Sequence, residues 1–251
     1  MILDEIVKRT KKRVEHLPPQ FPQRNISPHA SLSKAIRSRN GKNAIIAEIK
    51  CASPSRGVIR RNVDMPVMAG LLEGKGCSAL SILTEPFYFG GSINDLPQVK
   101  AAVNVPVLRK DFIIDERQLE ETRALGADAV LLIAAVLKDT LPLFVNRAFD
   151  LGLEPLIEVH DASEVLAAVR CGADLIGINN RDLKTMAVNR STTRVLSRSI
   201  RDEGKIIVSE SGMRSADDIR ELKPYCDAFL VGSSIMSHKR PEMMLEELVC
   251  A

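Results

Sequence analysis

The sequence has no tryptophan, and aromatic residues make up only 4% of its 251 positions. So few flat rings leave little on which the bases of a single strand can stack. No one sign of charge dominates either. Lys and Arg number 35 against 32 Asp and Glu, a net charge of +3. That excess is too small to imply a nucleic-acid partner. No apolar run reaches the roughly 18 residues of a membrane span, so no membrane association is expected. The opening MILDEIVKRTKKRVE mixes apolar and charged residues where a secretory signal needs a continuous apolar core. The four histidines are scattered, and Cys51, Cys77, Cys171, Cys226 and Cys250 form no CxxC pair. No protein metal site is expected, and dispersed, odd-numbered cysteines read as reduced thiols in a cytoplasm. With 45% hydrophobic and 27% charged residues, the chain is an ordinary globular one.

What is present is a rhythm. Residues 1–43 stand apart: a helical stretch, a connector with Pro18, Pro19, Pro22 and Pro28, and a short helix near 31–39. This segment is too short to own a core and is expected to pack on the main domain. The basic run Lys8 to Arg13 reads as the polar face of a helix whose apolar residues are Ile2, Leu3, Ile6 and Val7. From residue 44, short apolar runs recur at 44–50, 79–85, 105–111, 128–134, 154–160, 174–180, 205–211 and 227–233. They are nearly continuous and rich in β-branched residues, as parallel strands covered by helices are. Amphipathic segments lie between them. One runs from Asp115 to Gly126, one from Asp161 or Ser163 to Gly172, and one from Ser215 to Pro224, with cap residues at their ends. Eight βα units of this spacing predict a single (β/α)8 TIM barrel over 1–251, with 1–43 as an N-terminal helical extension. The competitor, a doubly wound sheet, wants a glycine-rich turn after its first strand, and KCASPSRG is no GxGxxG.

In such a barrel the site lies where the strands end. The apolar runs end in Glu48 and Lys50, Thr84 and Glu85, Lys110 and Asp111, Glu158, Asn179 with Asn180 and Arg181, Glu210 and Ser211, and Gly232 and Ser233. Glu48 and Lys50 are two apart and leave one face of their strand, while Ala47 and Ile49 take the other. Solvated strand ends account as well for Glu85, Asp111, Asn180 and Asp182. Charge near the barrel axis is costly unless paired, so Glu48, Lys50, Lys110, Glu158 and Glu210 are the candidates for acid and base chemistry. A purely structural charge network is the competing reading. Ser211, Gly212, Gly232 and Ser233 follow the last two strands, where barrels often bind phosphate. Ser53 and Arg56, in the SPSRG loop, form a candidate clamp. His160 reads as packing or support behind Glu158, and Cys51 lacks the partners of a nucleophile.

The stretches ILDEIV (2–7), AEIK with SPSRG (47–57), SILTEPFYFGGS (81–92), VLRKDFIID (107–115), ADAVLLIAAVL (127–137), PLIEVHD (155–161), IGINNRDL (176–183), VSESGM (208–213) and FLVGSSIM (229–236) run in one order along the chain. In this set the sequence resembles the indole-3-glycerol-phosphate synthase family of tryptophan biosynthesis. The resemblance implies a carboxy-lyase that closes a ring in 1-(o-carboxyphenylamino)-1-deoxyribulose 5-phosphate and releases carbon dioxide and water, with no cofactor. It implies Lys110 as general acid, Glu158 as general base assisted by Glu48, and Lys50 on the substrate carboxylate. Asn179 and Glu210 would contact the reacting sugar segment, and Arg181 would join the binding set. Ser53, Ser211, Gly212, Gly232 and Ser233 would hold the phosphate, and Phe89, Phe112 and Leu131 would wall the aromatic ring. Its partner would be this small-molecule substrate, bound by a monomer able to associate with other enzymes of the pathway. Three departures stand out: Asn62-Val63 where the family has an acidic-aromatic pair, Cys51-Ala52 where it has a more basic one, and an N-terminal extension shorter than the family's. Other readings are a different phosphosugar barrel, such as phosphoribosylanthranilate isomerase, and a non-catalytic barrel subunit. The isomerase wants a Cys–Asp pair at strand ends, and no strand here ends in Cys.

Overall fold

The computed structural model describes residues 2–21, 30–39 and 41–251. Pro22 and Pro28 lie outside them. Eight parallel strands close into a barrel in which each strand pairs with its neighbours in sequence and the last with the first. They are β1 (Ala44–Ile49), β2 (Ala79–Leu83), β3 (Val107–Lys110), β4 (Ala129–Ile133), β5 (Glu154–Val159), β6 (Leu175–Asn179), β7 (Ile206–Glu210) and β8 (Ala228–Val231). All eight expected strands are there. The ladders stop one or more residues before the apolar runs do, so Lys50, Glu85 and Asp111 stand beyond the last paired residue of their strands. The expected helices 115–126, 161–172 and 215–224 are Glu116–Ala124, Ala162–Arg170 and Ala216–Leu222. Asp115, Asp161 and Ser215 cap them through side-chain bonds to backbone N–H groups. At Asp115 the bond is doubled, because Gln118 reaches back to the cap and closes a capping box.

Strand periodicity sorts the side chains into two layers. Ile45, Ala47 and Ile49 of β1 join the apolar layer between barrel and helices, whereas Ala44 and Ile46 fill the barrel interior. The next inward position is Glu48. The same progression holds elsewhere: Leu108 then Lys110, Leu156 then Glu158, and Ile206 and Val208 then Glu210. Each barrel floor is apolar and its top is charged, so the inward-facing polar residues converge on the mouth at the strand C-termini. On β2 and β4 the top inward residues are Leu83 and Ile133 instead, which leaves one wall of the mouth apolar.

The N-terminal extension begins with a helix, α1 (Ile2–Glu15), which lies over the mouth. Arg13 near its end donates two hydrogen bonds, of 2.9 and 2.8 Å, to the Asp111 carboxylate. Arg9 sits over the rings of Phe87 and Tyr88, at 5.1 and 5.5 Å from their centroids. The second helix, Leu32–Arg37, buries Leu32 and Ile36 and is capped by Ser31. Among the described residues no helix is long and apolar enough to cross a membrane.

Candidate active site

The charged strand ends meet in a cavity of about 600 Å³. Every site residue expected from the sequence lines it: Glu48, Lys50, Ser53, Phe89, Lys110, Phe112, Leu131, Glu158, Asn179, Arg181, Glu210, Ser211, Gly212, Gly232 and Ser233. The centre is Lys110. Its ammonium lies 3.0 Å from Glu158 Oε2 and 3.1 Å from Glu210 Oε2. Asn179 donates to Glu158 Oε1 at 3.0 Å, and its own Oδ1 accepts the backbone N–H of Arg181. The amide is thereby oriented, with its donor end toward Glu158. Lys50 Nζ lies 2.6 Å from Glu48 Oε1.

Burial works against the charge of Lys110, but Glu158, Glu210 and Glu48 outweigh it and hold its pKa above the ordinary lysine value. Burial would raise Glu158 too. Lys110, His160 and Asn179 overcome it and keep that carboxylate ionised well below the usual range. Glu210 goes the other way: burial, with the charges of Glu158 and Glu48, pushes it up to about 7. Its Oε1 is buried with no hydrogen-bond partner. Glu158 and Glu210 share the single Lys110 ammonium while Glu48 takes Lys50, and this excess of negative charge at Lys110 is felt at Glu210, whose affinity for a proton rises.

Two glycines make room for these acids. A Cβ at Gly177 on β6 would collide with Glu210 Oε1, and a Cβ at Gly232 would collide with Glu48 Oε1. Gly232, expected in the phosphate cradle, thus also admits Glu48 to the barrel axis. The turn after β7 is left-handed at two successive residues, Ser211 (φ +64) and Gly212 (φ +95). A side chain at Gly212 would be strained there and would meet Val188 Cγ1 at 2.7 Å. Ser53, in a short hairpin of 52–53 with 57–58, keeps a buried hydroxyl without a partner in the cavity wall. Among the described residues no group of three or more His, Cys, Asp or Glu is placed to hold a metal ion.

A family model described as indole-3-glycerol phosphate synthase matches residues 3–248. The chain belongs to the indole-3-glycerol phosphate synthase family. The synthase of Caldanaerobacter subterraneus subsp. tengcongensis is 44% identical over 253 residues, covering 99% of this chain and 98% of the relative. That of Sulfurimonas denitrificans is 41% identical over 259 residues, covering 99% and 98%. Among solved structures, tryptophan synthase from M. tuberculosis superposes with a TM-score of 0.65 at 12% identity, over 89% of this chain and 98% of that one. KGPDC from Streptococcus mutans does so with 0.63 at 10%, over 82% and 95%. These two likenesses are of barrel fold alone.

Within this member of the synthase family, several polar strand ends are structural. Glu85 accepts the backbone N–H groups of Phe87, Tyr88 and Phe89 and shapes the loop after β2. Asn180 bonds Thr193, Ser209 and the carbonyls of Glu210 and Ser211, tying β6 to β7. Asp182 caps the turn at Lys184 and Thr185. Sequence reasoning missed other lining residues: Ile2, Leu3 and Ile6 of α1, and Arg190, Arg194 and Arg214 at the far rim. The apolar stripe of α1 was visible, but a stripe does not say what it covers. Arg190 pairs with Asp218 at 2.7 Å and Glu221 at 2.8 Å. Its i+4 spacing to Arg194 is a sequence signal too common to have marked it.

Proposed function

We propose that the cavity catalyses the synthase reaction on 1-(o-carboxyphenylamino)-1-deoxyribulose 5-phosphate, with Lys110 as the acid that closes the ring. One observation carries this reading: in a chain of this family, a lysine ammonium is suspended between two carboxylates at the centre of the barrel mouth. As the aryl carbon attacks the ketone carbon, negative charge builds on the ketone oxygen. Lys110 delivers a proton there and forms the alcohol. The carboxylate then leaves the aryl carbon as carbon dioxide, its bonding electrons restoring the aromatic ring. Lys50, reaching the cavity beside Glu48, pairs with that carboxylate before it leaves and donates to the alcohol as water departs. Glu158, assisted by Glu48, takes the proton lost in this dehydration. Glu210, holding a proton near neutral pH, returns it to Lys110 between the steps.

Geometry supports the binding roles. Phe89 and Phe112, with ring centroids 6.2 Å apart, and Leu131 line the apolar wall where an aryl ring fits. Ser211, Gly212, Gly232 and Ser233 receive the phosphate at the opposite rim, with Arg181 and the unpartnered hydroxyl of Ser53 beside it. Fixing both ends folds the flexible sugar chain so that the ring carbon meets the ketone. Binding energy from the phosphate then supports chemistry elsewhere on the substrate. We place the reaction in the cytoplasm, where the free cysteines stay reduced.

The test is direct. The purified chain is mixed with the substrate and a chelator, and indole fluorescence is followed. A rise that persists with chelator supports both the reaction and its independence of metal. A folded chain that binds the substrate without any rise overturns the assignment.

A further inference from the structure

We propose that His160 is a positioning residue for Glu158, through a Glu158–His160–Glu164 relay that joins the barrel mouth to the helix behind it. His160 follows β5 directly, and its ring lies between two carboxylates. Nε2 is 3.3 Å from Glu158 Oε1, and Nδ1 is 3.1 Å from Glu164 Oε2. Glu164 Oε2 also accepts the backbone N–H of His160 at 2.8 Å, so ring and backbone are gripped by one oxygen. A neutral imidazole has one N–H and would present a lone pair to one of the carboxylates. Only the cation suits both sides. Burial opposes that charge, but Glu158 and Glu164 outweigh it and raise the His160 pKa to about 10.

The surroundings agree. Glu164 sits in the first turn of the helix Ala162–Arg170, where the helix dipole favours an anion. Asp161, the cap of that helix, adds a third negative charge near the ring. Lys110 lies on the far side of Glu158, and Asn179 beside it is uncharged. The short helix Ala134–Leu137, which packs against both β5 and Ala162–Arg170, carries no titratable group.

The two contacts of His160 differ. Nδ1 makes a hydrogen bond, whereas Nε2 lies close to Glu158 without one. Together with the Asn179 bond to the same oxygen, this ion contact holds Glu158 ionised and in place.

This inference rests on Glu158 being the base, and the experiment separates the two. With four histidines in the chain, histidine NMR of the wild type resolves each titration. His160, identified by its loss in His160→Gln, is expected to stay protonated beyond pH 8. In Glu164→Gln its midpoint falls by about 1 unit or more. In kinetics, His160→Gln lowers kcat about tenfold, one pKa unit's equivalent, leaves KM within about twofold, and moves the acid limb of the kcat profile to higher pH. A His160 midpoint near the ordinary ~6.5 overturns the relay, as does His160→Gln with wild-type kcat and profile. Glu158→Gln distinguishes the readings: the His160 midpoint falls if the ion contact exists, whereas turnover collapses only if Glu158 is the base.

Discussion

Arg109 and Lys110 are consecutive residues of β3, both enclosed, and each anchors an ionic cluster. Arg109 points outward between barrel and helices. Its guanidinium bonds Asp111 at 3.0 Å, Glu121 at 2.8 Å, Thr122 at 2.9 Å and the Gln118 carbonyl at 3.0 Å. Asp111 in turn takes Thr84 and Arg13, and its two charged partners overcome burial to hold it below the ordinary carboxylate range. Lys110 points inward. Its cluster leaves Glu210 Oε1 without a partner and one carboxylate too many. The outer cluster is closed and matched, which is how a buried network stabilises a fold. The inner one is unbalanced, which is how a site keeps a mobile proton. One residue's displacement along a strand separates structure from chemistry.

Arg109→Met should break the outer side of this comparison most severely. It removes the buried guanidinium between Asp111 and Glu121 and leaves Asp111 with only the partly exposed Arg13 and Thr84. Breaking a buried pair costs about 3–5 kcal/mol, read as a lower urea midpoint. The folded fraction should retain turnover at low temperature. The loss should also depend on pH. Because the folded pKa of Asp111 is lowered, its contribution is present above the ordinary carboxylate pKa and disappears as pH falls through the folded value. Wild type and variant should therefore converge in strong acid. A gap that persists there would show that Asp111 ionisation is not what Arg109 supports.

Lys110→Met should invert the pattern: at least ~10²-fold lower turnover in steady-state kinetics, the low end for a positioned acid. The urea midpoint should move less than in Arg109→Met, because Glu210 readily takes a proton. Near-normal turnover would remove Lys110 from the acid role. Gly212→Val should act on binding alone, through the left-handed turn. A strain of about 1–2 kcal/mol and the clash with Val188 raise KM about tenfold with kcat largely kept. An unchanged KM would move the phosphate elsewhere. The smallest effect is expected at Arg13→Met. That side chain is 26% exposed, and Asp111 keeps Arg109 and Thr84. Loosening α1 should raise KM by no more than about fivefold, in keeping with about 1 kcal/mol for a partly exposed pair.

The comparison also explains what could be read from the sequence. The strands and the inward polar residues were legible because β-strand alternation and the rule that barrel sites lie at strand C-termini act together on Glu48, Lys110, Glu158 and Glu210. Arg109 was not. Alternation places it on the outer face, but its partners Glu121 and Thr122 come from the following helix, and their match is a matter of packing. The wall supplied by Ile2, Leu3 and Ile6 was hidden for the same reason. Gly177 was invisible because what matters there is the Glu210 oxygen occupying the space of a missing side chain.

The seam between β1 and β8 sets an order of events. Glu48 is displayed by the first strand, while the gap that receives it is left by Gly232, just past the last one. Asn43, one residue before β1, donates its side-chain amide to the carbonyls of Leu248 and Ala251. During synthesis from the N-terminus, β1 therefore waits as an open edge, its hydrogen bonds to β8 unmade, until β8 itself has emerged. Assembly of the charged mouth is thereby timed to the emergence of β8, and a chain truncated before β8 carries the lysines and glutamates of the earlier strands but no closed ring to hold them.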